Sequence, residues 1–121
     1  MSQLSSVELK VFVPARDFDL SRRFYADLGF TQASNEEGVA YFRHGNNSFL
    51  LQDFYDPGLA NNLMLHLLVD DALAWHRHIQ VSRFVERYSV ALGEPAEQPW
   101  GMLDFTLTDP SGVLWRIAQN I

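Results

Sequence analysis

"VELKVFV" at residues 7–13 and "LMLHLLV" at residues 63–69 carry one pattern twice. In the first, Val7, Leu9, Val11 and Val13 alternate with Glu8, Lys10 and Phe12. In the second, Leu63, Leu65, Leu67 and Val69 alternate with Met64, His66 and Leu68. A period of two places each set on one face of a strand. Each stretch therefore predicts a strand with one aliphatic face and one mixed face. Each then runs through an aspartate-containing turn into helical spacing. Asp19 is the expected N-cap of a first helix with the stripe Leu20, Phe24 and Leu28, closed by Gly29. Asp71 is the expected N-cap of a second helix with the stripe Ala72, Trp75 and Ile79. That helix, or a successor, continues through Val85 and Tyr88.

Both halves close with strands around a turn. "VAYFRHGNNSFLLQDF" (39–54) turns at Gly45-Asn46-Asn47, and "MLDFTLTDPSGVLWRIA" (102–118) turns at Asp109-Pro110-Ser111-Gly112. One more short strand in each half is expected around residues 32–35 and 94–98. "YDPGLANN" (55–62) reads as the connection between halves. The predicted fold is α+β, a single domain over 1–121. It consists of two βαβββ modules in tandem, about 1–57 and 58–121, forming a curved mixed sheet with a concave ligand cavity. A helix covers only the aliphatic face of its sheet. The mixed polar and aromatic face is left open, which is the composition of a ligand pocket.

Composition narrows the function. A length of 121 residues suits one domain, and 47% hydrophobic with 20% charged residues is ordinary for a globular chain. Fifteen acidic against nine basic residues, a net charge of -6, argue against nucleic acid and anionic membranes as partners. With no cysteine, disulfides, thiolate metal sites and cysteine nucleophiles are excluded. The first six residues are polar and no apolar run follows, so no signal peptide is expected and the cytoplasm is the expected compartment.

Few motifs carry chemistry. His76 and His78 in "WHRH" are two apart on a helix and point to different faces, so they cannot share an ion. Ser21 and Ser111 have no His/Asp arrangement around them, and no glycine pattern cradles a phosphate. His44 lies by a turn and is expected in solvent. The unusual residue is Arg116, a charge inside the strand "LWRIA", either facing a cavity or lying along a surface edge. The simplest hairpin pairs Thr108 with Val113, which sets Phe105 beside Arg116.

Three stretches, "VPARDFDLSRRFYADLGF" (13–30), "LLVDDALAW" (67–75) and "PWGMLDFTLTDPSGVLW" (99–115), resemble the vicinal oxygen chelate superfamily. That superfamily includes glyoxalase I, extradiol dioxygenases, fosfomycin resistance enzymes and bleomycin resistance proteins. Pro-Trp-Gly before the Asp-Pro-x-Gly turn looks most like the bleomycin-resistance branch. The resemblance implies a divalent metal on the concave face of the enzymes, held by His, Gln or Glu of the first and last strands of each half. Those positions fall here on Glu8, Met64, Arg116, and Leu51 or Gln52. A guanidinium has no lone pair for a cation, and a thioether is a poor ligand for hard or borderline metals. No metal and no cofactor are therefore expected.

The expected ligand-binding set is Glu8, Lys10, Phe12, Gln52, Phe54, His66, Trp100, Phe105 and Arg116, with no catalytic residue. Glu8 and Lys10 line a cavity or form a solvated strand face, and Arg116 pairs with Glu8 or holds an anionic group. Trp100 stacks on a planar ligand or closes a loop; the phenylalanines line a pocket or fill core. One function is a metal-free small-molecule binding protein, sequestering an aromatic or cationic compound as the resemblance implies. The other is a metal-dependent lyase, isomerase or dioxygenase in which Glu8, Gln52 and His66 converge on one ion. The resemblance also implies a homodimer, with each pocket built from both chains.

Overall fold

The two alternating segments form strands of unequal length. In a computed structural model, which describes residues 3–121, β1 spans only Phe12–Pro14, whereas β5 spans Met64–Leu68. The strand expected over residues 7–13 is thus shortened from its N-terminal end, and Val7 and Leu9 are exposed. The reason lies in the partner. β1 runs parallel to β4 (Asn47–Gln52), with Phe12 opposite Leu50 and Pro14 opposite Gln52. Counting back along that register, β4 ends at the Gly45-Asn46 turn, and the chain before residue 9 has no strand beside it.

Two four-stranded mixed sheets result, as expected for two tandem modules of an α+β fold. The first is ordered β1-β4-β3-β2, with β2 at Thr31–Glu36 and β3 at Val39–His44. The second is ordered β5-β8-β7-β6, with β6 at Ala96–Gln98, β7 at Met102–Thr108 and β8 at Leu114–Asn120. The short extra strands are β2 and β6. In each sheet the first strand lies parallel to the last and the other pairs are antiparallel. The four-residue α2 (Pro57–Ala60) lies in the connection.

Helix α1 spans Phe18–Leu28 and its cap is Asp17, not Asp19. Asp17 has extended backbone angles and accepts from the Leu20 N–H at 3.1 Å. Asp19 sits in the first turn, where its charge suits the helix dipole, and pairs with Arg22. Gly29 closes α1 as expected, at φ 127°. The buried stripe is Ser21, Phe24, Tyr25 and Leu28, so Tyr25 is a core residue the spacing did not single out. Asp71 caps α3 (Ala72–Val81) through the Ala74 N–H, and α4 (Phe84–Tyr88) is the successor helix.

The aliphatic faces meet in one core. Tyr25, Phe30, Phe49 and Trp115 stack edge to face across the two modules, with the Phe49 and Trp115 rings 5.6 Å apart. A buried polar chain reinforces the joint. The Trp115 Nε1–H donates to the Tyr25 hydroxyl at 2.9 Å, and that hydroxyl donates to Asp109 at 2.5 Å. Asp109 also accepts from the Ser111 and Val113 N–H groups of its own turn. Burial pushes the Asp109 carboxyl above its ordinary value despite these donors, and burial next to Asp109 pushes the Tyr25 phenol well up.

Candidate functional site

Alternation along each strand fixes what faces away from this core. On the first sheet those residues include Phe12, Tyr41, Ser48, Leu50 and Gln52; on the second, Met64, His66, Leu68, Asp104, Thr106 and Arg116. Because Phe49 and Trp115 pack against each other from the opposite faces, these two surfaces look outward from the shared core. Met64, Leu68 and Phe12 are about half exposed on them. Ser48 and His66 border a cleft of about 320 Å³ where residues 9–11, the β3–β4 turn and β5 meet.

On the first face, Glu8 holds the N-terminal segment down. Its carboxylate accepts from the Tyr41 hydroxyl at 2.8 Å and from the Ser48 hydroxyl, and lies 3.8 Å from Lys10 Nζ. Lys10 in turn sits 4.6 Å over the Tyr41 ring. The Ser48 and Tyr41 hydrogen bonds, in that order, draw the Glu8 carboxyl below its ordinary value. Glu8 and Lys10 thus belong together on this face. Gln52 points the same way but lies four residues along β4 from Ser48, which Glu8 bonds. At roughly 3.3 Å per residue that is about 13 Å of strand. Phe54 follows β4 and is half exposed.

On the second face, Arg116 is opposite Thr106 on one side and His66 on the other. Its partner is Asp104, not Glu8. Arg116 Nη1 lies 2.7 Å from Asp104 Oδ2, and the second Asp104 oxygen accepts from Gln98 Nε2 at 2.9 Å. The Arg116 side chain is 27% exposed and that of Asp104 only 2%. A carboxylate this buried is tolerated because both oxygens are engaged. Ala118, opposite Leu68 and Asp104, leaves room for the arginine to reach across. Trp100 stands in the β6–β7 turn, 61% exposed.

Phe105 is not beside Arg116. It is opposite Ile117, 2% exposed in the core, with its ring 5.0 Å from that of His76. The hairpin register differs by one residue from the expected one, with five residues rather than four between Thr108 and its partner. Thr108 pairs with Leu114 instead of Val113, and Asp109 N–H donates to the Val113 carbonyl at 2.8 Å. The Asp109 side chain, by holding two N–H groups of the turn, fixes this register, and Gly112 at φ 95° completes the turn. A slip of one residue exchanges the faces. The slip also concealed Asp104. In the observed register Met102, Asp104, Thr106 and Thr108 share the face of Arg116, so the alternation of "MLDFTLT" contained the signal.

The donor set does not fit a metal. Glu8 is tied to two hydroxyls and an ammonium, Gln52 is far along the strand, Met64 is a thioether and Arg116 is a cation already paired. Among the described residues no three His, Asp or Glu side chains cluster as ligands. His76 and His78 bond separate backbone carbonyls, of Gly93 and Asp27, and His44 is exposed against Trp75. No helix among the described residues is long and apolar enough to cross a membrane.

Known proteins share this fold. A bleomycin resistance protein of Klebsiella pneumoniae is 32% identical over 113 residues, covering 89% of this chain and 88% of that protein. The crystal structure of a bleomycin-binding protein complexed with bleomycin matches with a TM-score of 0.79 at 28% identity, covering 96% of this chain and all of that one. That of a bleomycin resistance determinant encoded on transposon Tn5 matches with a TM-score of 0.78 at 26% identity, covering 95% of this chain and 98% of that one. The model of the glyoxalase/bleomycin resistance protein/dioxygenase superfamily matches residues 9–117, and the chain belongs to that superfamily.

Proposed function

We propose that this chain is a metal-independent small-molecule binding protein of the bleomycin-resistance type, sequestering an aromatic or cationic compound. The observation that carries this is the Arg116–Asp104 pair, a neutralised charge where the superfamily's enzymes would place a metal-binding carboxylate. Met64 and Leu68 are open to solvent on the same face, as are Trp100 in the β6–β7 turn and Phe12 and Phe54 on the first module. The net charge of -6 favours encounter with a cation. Relatives supply the compound class, since one similar structure is a complex with bleomycin.

The working form is a homodimer in which the first face of one protomer meets the second face of its partner. Two outward surfaces on one chain support this, because neither alone encloses a ligand. The exposed Leu4, Val7 and Leu9 support it further, as apolar surface of the kind that associates. Sedimentation is expected to show a dimer at micromolar concentration; a monomer there overturns this form.

The function is tested by titrating metal-free bleomycin into protein dialysed against EDTA, following tryptophan fluorescence and thermal midpoint. Saturable quenching, weakened by Trp100→Phe, and a midpoint that rises with ligand concentration are expected. The competing enzyme assignment gains if stoichiometric Mn, Fe, Ni or Zn survives dialysis and is lost in Glu8→Ala.

A further inference from the structure

Asp104 does more than neutralise Arg116. A guanidinium carries five N–H donors in a planar fork. Here Nη1 is committed to a carboxylate that is itself buried and pinned from its other side by Gln98. Among the described residues Arg116 makes no second hydrogen bond, so its remaining donors are fixed in direction and available. The Arg116 backbone stands between His66 and Thr106, and its guanidinium reaches toward the next row, where Leu68, Ala118 and Asp104 are aligned. The local charge sums to zero: one guanidinium and one carboxylate 2.7 Å apart.

We infer that this is a subsite for a neutral planar acceptor, an amide or carbonyl conjugated to an aromatic ring, and that Asp104 is the positioning residue that sets its selectivity. A ligand carboxylate gains little there, because the cation already has its counter-ion and Asp104 repels a second anion. A ligand cation meets a guanidinium. A neutral carbonyl accepts from the aligned N–H groups with no charge to desolvate, and its ring rests on the apolar rows. The inference rests on the proposed binding function and names the chemical group that one part of the ligand presents.

Three probes of one shape separate the possibilities: benzamide, benzoate and benzamidine, titrated into ¹⁵N-labelled protein. In the wild type, benzamide is expected to move the Arg116 Nε–H resonance and to bind more tightly than benzoate, with benzamidine leaving that resonance in place. Asp104→Asn keeps the shape. Its amide oxygen still accepts from Arg116 and its NH2 can face a flipped Gln98, so the fold should persist, as checked by circular dichroism. The variant leaves Arg116 with an uncompensated charge, and benzoate affinity should rise about tenfold, reversing the order. A merely structural role would weaken all probes together. Arg116→Lys, which keeps the charge and loses the fork, should abolish the benzamide preference. The inference is overturned if Asp104→Asn leaves the benzamide-to-benzoate ratio unchanged, or if benzamide perturbs only residues off this face. Bleomycin is titrated in parallel. Binding of bleomycin with the ratio unmoved sinks the subsite and leaves the binding function; loss of bleomycin binding with the ratio reversed does the opposite.

Discussion

In the second module the alternating segment becomes a strand paired to β8 from Met64 through Leu68. In the first module the same alternation yields a ladder only from Phe12 to Pro14, and Val7 and Leu9 stand in solvent. The faces opposite the core differ as sharply. The second is organised by a buried carboxylate on an arginine; the first by an exposed carboxylate, Glu8, that ties a loose segment to Tyr41 and Ser48. β5 is paired to β8 over five residues, Met64 opposite Leu114 to Leu68 opposite Ala118, and β1 to β4 over three, Phe12 opposite Leu50 to Pro14 opposite Gln52, so the same alternation does not by itself make the same ladder. Two modules from one plan therefore have different rigidity, and the softer edge belongs to the first.

The contrast can be broken at its centre, where both modules depend on one core. Phe49→Ala removes a ring packed on Tyr25 and Trp115 and is expected to cost about 3–5 kcal/mol in urea unfolding. If the loss is below 1 kcal/mol on this scale, the shared core is not what joins the modules. Asp109→Ala comes next. It strands the buried Tyr25 hydroxyl and two turn N–H groups, for a loss of about 3 kcal/mol. Leucines on the aliphatic faces of the two alternating segments sharpen the difference between the first strands. Leu67→Ala should cost about 2–3 kcal/mol, and Leu9→Ala less than about 0.5 in dilute protein. Equal effects would mean that residues 7–11 pack as a strand.

The smallest effect is in pH, and its sign differs between the regions. The Asp109 carboxyl is raised by burial, so the folded state holds its proton more tightly than the unfolded one. Stability should therefore fall as pH rises from about 4 through the folded value, and that slope should vanish in Asp109→Asn. The Glu8 carboxyl is lowered, so its contribution is complete above about 4 and is lost as pH falls through the lowered value. The protection factors of the residue 8–11 amides, corrected for the intrinsic pH dependence of exchange, should fall over that acid range in the wild type and stay constant in Glu8→Gln. An acid-range response that persists in Glu8→Gln would place the tether elsewhere.

Much of this molecule was legible from local rules. Two alternating segments, two aspartate-capped helices with Gly29 as a stop, and two turns sufficed for the tandem modules, because periodicity and capping depend on near neighbours along the chain. The charge at Arg116 inside a strand was also readable, but its partner Asp104 was not. What only the tertiary structure decided is everything that depends on register and on partner length. Asp109 held a hairpin one residue away from its simplest register, which placed Phe105 in the core and Asp104 on the face of Arg116. The ladder with β4 began only at Phe12 and left residues 7–11 outside it. Tyr25 reached across to Asp109, 84 residues away, to join the halves. A side chain's face is set by counting from a turn, and a strand's existence by the strand beside it; neither quantity is local, so composition and spacing cannot supply them.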